Sequence, residues 1–111
     1  MRVLAFSVTF LQSSDYNKWN DISEDNRTLL ILHLTSELSI LRAKARITQE
    51  KLANAIGISR QTYGQIENGK IQMSWTIYLS LLFFYSSRES TAKLLETLEI
   101  YPNAYMTKEI K

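Results

Sequence analysis

An all-α fold is predicted for this chain by three observations. Helix breakers are scarce, with one Pro and three Gly in 111 residues, too few for a turn-rich β-fold. Apolar residues recur at spacings of three and four, the period of one helix face. A capping residue stands ahead of nearly every such run. The length suits one domain, and a hydrophobic fraction of 45% suits one small core.

The elements follow in order. Residues 1–22 show no clear helix period and read as an N-terminal extension, with a mixed apolar stretch over 1–14 and a polar connector over 15–22. Its apolar part can form a strand or an arm that packs on a partner. From Ser23 a helix pattern begins, with Glu24 and Asp25 suited to the positive first turn. Leu30, His33, Leu34, Leu38 and Leu41 then form one stripe, on which His33 is a core or interface residue rather than a ligand. Residues 24–46 form one helix or two; Thr35-Ser36 is the expected break, because Ser36 can cap a new start at Glu37.

Thr48 caps the next helix, which carries Leu52, Ala53 and Ile56 and stops at Gly57. Ser59 caps another, with Tyr63 and Ile66 inward, ending at Asn68-Gly69. Ser74 caps a strongly apolar helix through Tyr85. Ser86 and Glu89 have the spacing of a capping box for a last helix, which carries Leu94, Leu95 and Leu98 and stops before Pro102. The expected organisation is an extension over 1–22, a five-helix domain over 23–101 and a tail over 102–111.

Composition narrows the chemistry. No cysteine is present, which removes disulfides, thiol chemistry and thiolate zinc sites, and fits a cytoplasmic protein. One His makes a His-based active site or metal centre a poor expectation, and no cofactor is expected. No phosphate-cradling glycine loop and no nucleophile–base set is legible, so the chain is not read as an enzyme. The net charge is +2, and the whole excess lies in residues 36–75, where Arg42, Lys44, Arg46, Lys51, Arg60 and Lys70 outnumber Glu37, Glu50 and Glu67. A polyanion would dock there. The apolar runs Val3–Leu11 and Trp75–Tyr85 are shorter than the ~20 residues that span a bilayer, so no membrane partner is expected.

Residues Thr48 to Glu67 meet the demands of two short helices crossing through a tight turn. Ala53 is small where the second helix crosses the first. Gly57 accepts positive φ at the turn. Ile58 plugs the wedge between the helices, and Tyr63 and Ile66 bury on the same side. The outward face then presents Ser59, Arg60, Gln61 and Gln65, side chains able to read base edges in a major groove. Gln49, at the head of the preceding helix, can bond a phosphate beside free backbone N–H groups.

The stretch LRAKARITQEKLANAIGISRQTYGQIENGK, Leu41 to Lys70, resembles the lambda-repressor-like, or Xre-like, helix-turn-helix family, and the likeness extends over about 36–101. That resemblance implies a five-helix lambda-repressor-like domain that binds double-stranded DNA as a homodimer with its third helix in the major groove. It further implies that Gln49, Asn68 and Lys70 hold phosphate, and that Arg42 and Glu67 form an internal ion pair. Two residues depart from the usual pattern. Tyr63 replaces an aliphatic residue, and its hydroxyl needs a partner or water. Gly64 lies inside the reading helix, where it either permits closer approach to DNA or is incidental.

The apolar helix from Ser74 reads either as core or as a dimer interface. The leading functional expectation is a transcriptional repressor. The alternative is an antitoxin-type module that binds a partner protein and regulates its own operon, for which the 1–22 extension and the aromatic helix are the supporting features.

Overall fold

The computed structural model describes residues 22–102. Within them the chain forms five helices: α1 (Glu24–Ala45), α2 (Gln49–Ile56), α3 (Arg60–Glu67), α4 (Trp75–Ser86) and α5 (Glu89–Leu98). There is no strand among the described residues. The arm and connector over 1–21 and the tail from 103 lie outside them. Ile22, assigned above to the extension, is buried in the core.

Capping chemistry sets most helix starts. The hydroxyls of Ser23, Thr48, Ser59 and Ser74 accept from the backbone N–H groups of Asn26, Lys51, Thr62 and Ile77 at 3.0–3.1 Å. Each satisfies a donor the helix itself cannot. α1 is the spine: Leu30, Leu34, Leu38 and Leu41 are fully buried, and the helix packs against α3, α4 and α5. His33 sits half-buried at the edge of that stripe. α2 packs on α3 and α4, and α4 on α5. Tyr63, Ile66, Tyr78, Leu81, Tyr85 and Leu95 close the core from the other side.

One open alternative is decided and one expectation is corrected. α1 does not break at Thr35-Ser36. Both hydroxyls turn back onto the preceding turn, Thr35 donating to the Ile31 carbonyl and Ser36 to the His33 carbonyl at 2.7 Å each. Satisfied inside a continuous helix, Ser36 caps nothing. Nor does Ser86 cap α5. It is the buried last residue of α4, and its hydroxyl pairs with the Tyr101 hydroxyl at 2.8 Å. The N-cap of α5 is Arg88, without a side-chain cap bond, while Thr91 donates to the Tyr85 carbonyl at 2.7 Å and ties α5 back to α4.

The apolar helix α4 is chiefly core. Tyr78, Leu81, Leu82 and Tyr85 are buried, and Ile77, Leu79 and Phe84 pack partly against them. Phe83 is the outward exception, and it lines a shallow groove with Ala55, Ile56, Leu79 and Phe84. Tyr78 stacks on Trp75 with ring centres 4.5 Å apart, and its hydroxyl donates to the Ile100 carbonyl. That bond draws the segment after α5 into the core, where Ile100 and Tyr101 are buried.

Candidate nucleic-acid interface

The turn between α2 and α3 depends on Gly57. Its φ is +81°, a left-handed conformation that crowds a β-carbon. There the Gly57 N–H donates to the Asn54 carbonyl at 3.3 Å and the Ile58 N–H to the Ala53 carbonyl at 3.0 Å, so the last turn of α2 is satisfied. Ala53 is fully buried, Ile58 packs half-buried against the core, and Tyr63 and Ile66 point inward. No atom lies within 4 Å of a β-carbon built on Gly57, so the constraint is backbone strain and not space. Gly57→Val is therefore expected to lower stability by about 2 kcal/mol in urea unfolding, since β-branching adds to the αL penalty. An unchanged midpoint would remove the turn from this account.

With the inward residues placed, α3 presents its other side. Arg60 and Gln61 are exposed at its first two positions, and Gln65 is half-exposed one turn on. Among the described residues neither Arg60 nor Gln61 has a side-chain partner. Ser59 is differently placed. Its hydroxyl accepts from the Thr62 N–H at 3.0 Å and donates to Thr62 Oγ1 at 2.8 Å, so its proton is already committed. After α3, Gly69 (φ +78°) turns the chain, and the Lys70 N–H donates to the Gln65 carbonyl at 2.9 Å. Asn68 and Lys70 are both exposed on that turn.

Behind this face lies a partly buried polar cluster. Arg42 on α1 donates through Nε and Nη2 to the two Glu67 carboxylate oxygens, each at 3.0 Å, and through Nη1 to the Ile47 carbonyl at 3.2 Å. Burial works against ionisation of Glu67, but the hydrogen bonds and positive charge of Arg42 outweigh it and hold its pKa below the usual carboxylate range. The same bond raises the Arg42 pKa further. The partner sought for the Tyr63 hydroxyl is not found among the described residues; that hydroxyl and Tyr85's are both buried without a hydrogen bond. Burial first, then the adjacent Glu67 carboxylate for Tyr63, push both phenols above their ordinary range, so both stay protonated.

Gln49 is half-buried at the head of α2, and its Oε1 would lie 3.6 Å from a β-carbon at position 64. Gly64 thus lies under Gln49, a juxtaposition that sequence reasoning missed. A glycine in a helix interior opposite a long amide was the available signal. Because 3.6 Å is an ordinary contact and Gly64 has ordinary helical φ, Gly64→Ala is expected to stabilise the protein by about 0.5–1 kcal/mol. A lowered melting temperature would show that Gln49 needs the missing methyl's space.

Two capped helices joined through a left-handed glycine, with the second offering unengaged polar side chains at its tip, define a helix-turn-helix protein of the DNA-binding class. A family model described as a helix-turn-helix domain matches residues 33–92. The chain belongs to that family, consistent with the Xre-like resemblance of Leu41 to Lys70. No curated protein and no solved structure matches it. Among the described residues no group of His, Asp and Glu could hold a metal ion, and no helix is long and apolar enough to cross a membrane.

Proposed function

We propose that the protein binds specific double-stranded DNA sequences in the cytoplasm and regulates transcription, most simply as a repressor, acting as a homodimer on two-fold sites. It works by occupying DNA and not by catalysis. The observation that carries this reading is the exposure of Arg60 and Gln61, side by side and unengaged, at the head of α3. Arg pairs bidentately with guanine and Gln with adenine in the major groove. Gln65 follows one turn behind, and Ser59 can join by its remaining lone pair. The free N–H groups at the start of α2 near Gln49, together with Asn68 and Lys70, hold phosphates on either side and fix the register.

Selection of bound duplexes from a random pool, repeated at two salt concentrations, tests the reading. A recovered two-fold motif supports it; an unenriched pool at both concentrations overturns it. Lys70→Ala is expected to weaken specific and random duplexes alike and to lower the salt slope by about one. A loss confined to the specific site would reassign Lys70 to base reading.

A further inference from the structure

The face of α1 turned away from the core is apolar, where a surface helix is normally polar. Leu29, Leu32 and Ile40 are 50%, 51% and 55% exposed. With exposed Ser36 and Ala43 they run at spacings of three, four, four and three. Residues so spaced share one side of a helix, and these five make a stripe about 21 Å long. The buried Leu30, Ile31, Leu34, Leu38 and Leu41 lie on the other side, so the core does not explain it.

Three properties of the stripe point to its occupant. It reads alike in both directions from Ser36, with Leu32 and Ile40 four residues away on either side and Leu29 and Ala43 seven. Its ends carry opposite charge: Glu24 and Asp25 occupy the first turn of α1, while exposed Lys44 lies in the last turn and exposed Arg46 follows it, Arg42 being engaged by Glu67. At the basic end Ile40, Ala43, Lys44 and Arg46 line a depression with Ser90 of α5.

We propose that α1 pairs with α1 of a second copy of this chain, antiparallel, about a two-fold axis at Ser36. A two-fold interface must be self-complementary, with each patch meeting its own image. Here Leu32 of one copy meets Ile40 of the other. Leu29 meets Ala43 and enters the depression beside it, large against small. The serines at the axis are small enough for close approach. The acidic first turn of each copy lies beside the basic last turn of its mate, and the helix dipoles oppose. A parallel pairing would set like charges together, so the ends select orientation even where surface ion pairs add little stability. This pairing rests on the homodimer reading above.

The test uses the full chain, which has no native cysteine to confuse it. Ser36→Cys is expected to form a covalent dimer on mild oxidation, whereas Phe83→Cys, also exposed but on α4, is not. Leu32→Glu combined with Ile40→Glu is expected to halve the mass seen in sedimentation equilibrium and to abolish the dependence of the melting temperature on chain concentration. A dimer that keeps its mass in the double variant and does not cross-link at position 36 overturns the pairing but leaves a two-fold DNA binder standing. A wild-type chain that is monomeric at every concentration overturns both.

Discussion

Arg42→Met is expected to cost about 3 kcal/mol of folding stability, read as a lower urea midpoint with an unchanged slope. The Glu67 side chain is only 9% exposed, and Arg42 supplies both of its 3.0 Å bonds. Removing the guanidinium leaves that carboxylate charged and poorly solvated, the costliest way to break such a pair. Arg42→Met combined with Glu67→Leu is expected to recover most of the loss, since the apolar pair needs no desolvation. If both variants melt like wild type, the pair is ornamental.

The same residues predict an acid limb. Glu67 has a folded pKa below its unfolded value, which is near 4.3 for a free Glu. A depressed carboxylate contributes stability that is fully present above the unfolded pKa and disappears as pH falls through the folded one. Stability should therefore fall more steeply below about pH 4.3 in wild type than in Glu67→Gln, measured by urea unfolding at each pH. Identical slopes would mean that Glu67 titrates normally.

Arg60→Ala is expected to lose roughly 1–3 kcal/mol per half-site and to relax preference at one base pair. Under the homodimer reading the loss counts twice, about 2–6 kcal/mol on a two-fold operator. The discriminating measurement compares that operator with a random duplex at one salt concentration. A base-reading arginine loses chiefly on the operator; equal losses on both would make Arg60 a phosphate contact.

The legible parts of the fold were those set by chemistry within a few residues. Thr48, Ser59 and Ser74 cap the helices their positions predict, and Gly57 turns where the spacing of Ala53 and Ile66 requires. Ser86 misled because its role depends on Tyr101, which lies 15 residues on and competes for its hydroxyl. Ser36 misled because serine can cap a start or bond back within a helix, and only neighbouring packing decides which. The Arg42–Glu67 pair, 25 residues apart, came from family likeness and not from any local pattern. In the apolar α4 sequence alone could not say that Phe83 turns out while Leu82 turns in. The polar tip of α3 was readable because burial of Tyr63 and Ile66 leaves Arg60 and Gln61 nowhere else to point.

Not every sharp bend in the chain uses a glycine. Arg46 and Glu99 end α1 and α5 at φ of 56° and 55°, where a β-carbon collides with its own carbonyl. Such a joint stores about 1–2 kcal/mol. Both joints lie outside the segment from Gln49 to Lys70, and Glu99 lies outside the proposed α1 pairing as well, so the joint at Glu99 holds thermal headroom that a glycine can release without touching the proposed reading face.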